Sequence, residues 1–280
     1  MKRSSAAALL TTVSPLALLI GSPLAEAADL ARKAPPPVVA PPPAYSWTGC
    51  YAGAQVGWGW GFNRHSGVTQ FSSEHIIAGN QSLDTDGGLF GGQLGCRYQF
   101  SGWSPWQGGN WVVGVQGDFA GADIDGAGPM AIPDEEDVDD IARVKTKWIS
   151  SVTGSLGVTA WNNQVLFYVK GGGAWARNQW DFSQVDGLEQ IERIGLFDET
   201  RSGWTVGVGS EWTLWSPNWT AFVEWNFYQF NSGGSTQCGI SGSGNSLCNF
   251  ESVSTGRQEI QDIKVGVNYR FWGGAGGWGQ

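Results

Sequence analysis

Residues 203–230 read GWTVGVGSEWTLWSPNWTAFVEWNFYQF, with five tryptophans and only two acids. From 204 to 214 the even positions Trp204, Val206, Val208, Ser210, Trp212 and Leu214 share one face, and Thr205, Gly207, Gly209, Glu211 and Thr213 share the other. That two-residue period belongs to a strand with one apolar side. WSPN then supplies a turn around Pro217, and the pattern resumes in the opposite parity. There Trp219, Ala221, Val223, Trp225 and Phe227 oppose Thr220, Glu224, Asn226 and Tyr228. The stretch predicts two antiparallel strands joined by a short turn.

The same rule finds six more strands, at 50–60, 89–100, 111–119, 148–158, 165–175 and 262–271. Eight segments of about ten residues match the length that a tilted strand needs to cross a bilayer. Their connections alternate: 100–110, 160–164 and 215–218 are short, while 62–86, 121–146, 177–201 and 231–257 are long. This is the pattern of an eight-stranded antiparallel transmembrane β-barrel with short periplasmic turns and long extracellular loops.

The flanking sequence suits export. Lys2 and Arg3 precede an apolar run to Ile20, and Ala25-Glu26-Ala27 is a small-x-small cleavage site, so residues 1–27 read as a signal peptide. Residues 28–45, holding APPPVVAPPPA, form a proline-rich periplasmic linker, a plain extended spacer or a contact to the cell wall. The barrel takes 46–271, and 272–280 is a Gly/Trp tail. No mature stretch has 18 consecutive apolar residues, which excludes a spanning helix. Only 15% of residues are charged, and the net charge of −9 makes nucleic acid a poor partner.

Parity alone leaves open which face points inward, and a soluble lipocalin-like barrel would bury the bulky side. Composition decides against that: the non-aromatic face is rich in Gly and Ser, too small for a charged soluble surface and suited to a narrow interior. The bulky aromatics also collect at strand ends. Tyr98, Phe100, Trp111, Trp161, Trp215, Trp219, Tyr269 and Phe271 fall at the periplasmic ends, and Trp58, Trp60, Trp148, Trp175 and Trp204 at the outer ends. These are the two aromatic belts of a membrane barrel. The interior is expected to be a packed polar lumen holding Arg97, Lys170, Lys264 and Arg270 with Asp118, Glu211, Glu224 and Asp262. Buried charges persist only when paired, so a cross-strand network that plugs the barrel is expected. Small inward residues at Gly53, Gly57, Gly91, Gly207 and Gly209 keep open a narrow pore for small solutes.

The blocks SWTGCYAGAQVGWGWG, GWTVGVGSEWTLWSPNWTAFVEWNFYQF and IKVGVNYRF, and the leader AADLARKAPPP, together resemble the alphaproteobacterial small outer-membrane β-barrel family of outer immunogenic and porin-family surface proteins. The resemblance spans residues 28–271. It implies an eight-stranded barrel, abundant in the outer membrane, with a mostly structural or surface-exposed role. Membrane lipid, lipopolysaccharide and the outer-membrane assembly machinery are the expected partners. Cys50 and Cys96 stand where that family has aromatics, and WGGAGGWGQ comes after Phe271, where it typically ends.

Export permits disulfides. Of three possible pairings, Cys238 with Cys248 across GISGSGNSL and Cys50 with Cys96 on neighbouring strands are expected. No catalytic, cofactor or metal site is expected. His65 and His75 in the first long connection read as loop residues, with ligand capture, for instance of haem, as the alternative. PDEEDVDD at 133–140 reads as a solvated loop, with cation bridging to lipopolysaccharide as its alternative.

Overall fold

The computed structural model describes residues 45–70, 81–106, 109–129, 141–186, 190–240 and 246–272, with side chains over a smaller set. The signal segment, the proline-rich linker, the acidic 133–140 stretch, His75 and the tail from 273 lie outside the described residues, as do the side chains of His65, Cys238 and Cys248.

Ten strands are present among the described residues: β1 Gly49–Gln70, β2 Gln81–Phe100, β3 Trp111–Pro129, β4 Ile141–Ala160, β5 Val165–Asp186, β6 Gln190–Thr213, β7 Trp219–Phe230, β8 Gly233–Ile240, β9 Ser246–Thr255 and β10 Gln258–Trp272. Strands β1 to β7 pair each with the next, β7 pairs with β10, and β10 returns to β1. The ladder is antiparallel throughout and closes with Val56 opposite Val265. Closure of eight strands removes every sheet edge within the barrel, a requirement in hydrocarbon, where no water can satisfy an open edge.

The parity reading places the side chains correctly on all eight strands. Val56, Phe90, Leu94, Val115, Val152, Val169, Val208 and Val265 all point out and are exposed. Gln55, Gln93, Gln116, Thr153, Lys170, Glu211, Glu224 and Lys264 point in and are buried. At the strand ends the outward aromatics pair with one another: Trp219 with Tyr269 at 5.1 Å and Trp204 with Phe227 at 5.5 Å between ring centres.

Much of what the sequence reads as long connections is strand. Pairing continues along β4, β5 and β6 as far as Asp186 opposite Gln190, and the connection at 231–257 holds the β8–β9 hairpin, whose β9 pairs with β1. Apolar alternation fades beyond the membrane, where the outward face meets water rather than lipid while inward positions such as Val144 and Trp180 stay buried, so the ladder runs past the segment that hydropathy marks. The periplasmic turns are compact. In the turn at 161–164 Trp161, Asn162 and Asn163 are left-handed, with φ of 49°, 57° and 65°, a conformation that asparagine tolerates better than most residues.

The interior also differs from a uniformly polar lumen. In its extracellular half Leu89, Ala120, Ile124, Ile149, Ala174, Tyr228, Phe230 and Ile260 form a buried apolar cluster. Several take consecutive inward positions, as Tyr228 and Phe230 do, on strands that carry polar inward residues nearer the periplasm. Opposing side chains cover one another there, so polarity is not required.

Candidate lumen network

All eight charges assigned to the lumen are buried, none more than 7% exposed. Arg97 on β2 reaches Glu211 on β6 at 2.7 Å, four strands around an eight-stranded ring and so across its full width. Lys170 on β5 meets Glu224 on β7 at 2.5 Å. Lys264 on β10 reaches Asp118 on β3 at 3.2 Å and Asp262 two residues away at 3.4 Å. Arg270 sits nearer the periplasm, donating to the Thr48 carbonyl at 2.9 Å with its guanidinium over the Tyr45 ring.

Neutral donors complete the carboxylate shells. Thr220 donates to Glu211, and Ser151 to Asp118. Tyr168 donates to Glu224 at 2.6 Å, and Asn226 to Asp262 at 2.8 Å. A separate chain runs from the Tyr51 hydroxyl to Gln116 (2.6 Å), from Gln116 to Gln93 (3.0 Å) and from Gln93 to Asn268 (2.7 Å), linking β1, β3, β2 and β10. Its members were legible only as inward-facing polar positions, because a linear pattern does not show which of them meet.

The glycine positions matter to this filling. Tyr51 lies directly opposite Gly95, and Tyr168 opposite Gly209; a Cβ on either glycine would stand 2.6 Å from the ring's Cζ. Each aromatic thus lies flat on a bare backbone, and both rings flank the Arg97 guanidinium, at 4.3 and 5.4 Å. The other inward glycines named for a water path are likewise occupied. A Cβ at Gly53 would fall 2.0 Å from Asn268 Oδ1, at Gly57 2.4 Å from the Ile263 carbonyl, at Gly91 2.0 Å from that of Phe119, and at Gly207 2.4 Å from Asn226 Oδ1.

Trp47 is the residue whose role sequence reasoning missed. It precedes β1, is 1% exposed, and clusters with Val112, Leu166 and Tyr168 at the periplasmic mouth. Its indole donates to the Asn163 carbonyl in the 161–164 turn at 2.9 Å, and its backbone N–H to Gln99 at 2.7 Å. Asn163 Oδ1 in turn accepts from Thr159 and Asn110.

On the outer surface Cys50 and Cys96 face each other on β1 and β2 and are joined by a disulfide, with Cα atoms 4.0 Å apart. Cys238 and Cys248 fall on β8 and β9, and the register of that hairpin shifts between Gln237 and Gly239.

The family model for the outer membrane protein beta-barrel domain matches residues 14–271. The chain belongs to that family. Curated relatives include the 31 kDa outer-membrane immunogenic protein of Brucella melitensis, 29% identical over 88% of this chain and 93% of its own. The 25 kDa outer-membrane immunogenic protein of Brucella abortus is 28% identical over 91% and 94%. Among solved structures, the attachment invasion locus protein Ail of Yersinia pestis covers 80% of this chain and 99% of its own, at 15% identity and a TM-score of 0.33. This member of the outer membrane β-barrel family is thus an outer-membrane protein, and its eight ring strands close into a barrel.

Proposed function

We propose that this barrel is a structural and surface-presenting component of the outer membrane, contacting lipid and lipopolysaccharide, with its lumen closed to solutes. The observation that supports this most directly is the network of ion pairs crossing the lumen, Arg97–Glu211, Lys170–Glu224 and Lys264–Asp118, every member of which is buried. An eight-stranded barrel has an interior about as wide as its own side chains, and here Trp47 adds a further side chain at the periplasmic mouth. Opening a path would leave charges unpaired in a low-dielectric interior.

A narrow channel is the second reading, and one observation favours it. Both amide atoms of Gln55, Asn226 Oδ1 and Asn268 Nδ2 are buried without a hydrogen-bond partner among the described residues. Such groups draw water.

Planar-bilayer conductance of the refolded barrel, with Glu211→Ala beside it, separates the two. The expected result is a silent bilayer for the wild type with folding confirmed, together with cells lacking the protein becoming sensitive to detergent. Discrete steps in the wild type would establish the channel instead.

A further inference from the structure

We propose that the outward face of β4 and β5 is a binding site for one lipopolysaccharide molecule. Its phosphate would lie on Lys147 and Arg177, flanked by Lys145 and Arg143, and an acyl chain in the groove below. The site rests on the lipid-contact role proposed above and gives that role a location.

The strand geometry assembles the site. Along β4 the outward residues Val152, Ser150 and Trp148 rise towards the cell exterior, and the ladder with β5 then shifts between Thr146 and Trp148. One extra residue at a bulge flips the parity of every position beyond it. Lys145 and Arg143 therefore face outward, on the same side as Trp148, while Thr146 and Val144 turn in. On β5 Trp175 and then Arg177 continue the same face. Four cations thus stand immediately beyond two tryptophans of the outer aromatic belt, at the height of lipid headgroups.

The partners of these cations leave room for an anion. Lys147 and Arg177 share the single carboxylate of Asp198, at 3.4 and 2.8 Å, with all three side chains more than a third exposed. Lys145 contacts Asp123 and lies opposite Asp125, and Arg143 lies opposite Asp181. Exposed pairs of this kind contribute little, so a phosphate can take over the Lys147 and Arg177 donors, with the arginine offering a bidentate fork. At the same height the charged residues that β2 and β3 turn outward are all acids, Asp84, Asp86, Asp123 and Asp125, so the basic sector ends at β4 on that side.

Directly beneath lies an apolar groove of about 840 Å³. Gly92, Gly117 and Ser150 form its floor, and Phe90, Leu94, Phe119, Val152 and Trp175 its walls. Strands advance about 3.3 Å per residue and tilt by roughly 45°, so the distance from Arg177 to the level of Gly171 spans about one leaflet of hydrocarbon. A phosphorylated lipid with saturated chains on the outer leaflet fits both parts at once, and lipopolysaccharide is that lipid.

The test is native mass spectrometry of the folded mature barrel with lipid A, phosphatidylglycerol or phosphatidylcholine added. One retained lipid A is expected. Binding should weaken by about thirtyfold in Lys147→Gln/Arg177→Gln, since each cation near an anionic surface contributes on the order of a factor of five. Gly117→Leu gives an independent readout: its Cβ meets nothing closer than 3.9 Å, so the strand tolerates it while the side chain fills the groove, and binding should also drop. Unchanged lipid A binding in both variants overturns the site. Equal retention of either phospholipid overturns its assignment to lipopolysaccharide. Conductance and detergent sensitivity are unaffected by these outcomes, so failure here is distinct from failure of the envelope role.

Discussion

Single residues carry the energetics of the lumen. Arg97 touches Glu211 and lies against the rings of Tyr51, Tyr168 and Trp47, so Arg97→Ala strands a buried carboxylate. A loss of about 3–5 kcal/mol is expected, read from urea unfolding in lipid vesicles, with Arg97→Ala/Glu211→Ala recovering part of it. Trp47→Ala should cost roughly 3 kcal/mol in the same assay and leave the belt fluorescence unchanged. Tyr51, Gln93 and Glu211 were all readable as inward positions from parity. That Arg97 would choose Glu211 rather than Glu224 was not, because partner choice depends on which side chains share a height in the closed ring.

At the scale of elements, the β1–β2 hairpin is fastened by Cys50–Cys96 across 46 residues of sequence. Constraining a loop of that length in the unfolded chain stabilises by about 2–4 kcal/mol, so adding reductant, or Cys50→Ala/Cys96→Ala, should lower the urea midpoint. The extracellular ends of β4, β5 and β6 meet at Asp198, whose carboxyl is held below its ordinary value by the Arg177 hydrogen bond and then by Lys147. A lowered carboxyl stabilises fully above its unfolded value near 3.8 and loses that contribution as pH falls through the lower folded value. Amide protection around Arg177 and Thr200 should therefore fall on acidification below about pH 4, and Asp198→Asn should remove that dependence. The extent of these strands was hidden in the sequence, since alternation reports contact with lipid and these ends stand in water.

For the whole molecule, the outer-membrane β-barrel, the eight strands that close it and the faces taken within their membrane-crossing segments were legible in the sequence. A period of two and aromatic strand ends are local properties, set by which solvent each side chain meets. What fills the interior emerges only in the folded ring: the Arg97–Glu211 crossing, the amide chain from Tyr51 to Asn268, the apolar cluster above them and Trp47 at the periplasmic mouth. The bulge that brings Lys145 to the lipid side beside Trp148 likewise emerges only there. The reason is physical. Solvent acts on each position independently and leaves a linear imprint, whereas packing inside a closed ring joins residues far apart in sequence, as Arg270 and Thr48 are at 222 positions, and depends on the register and closure of all eight strands together.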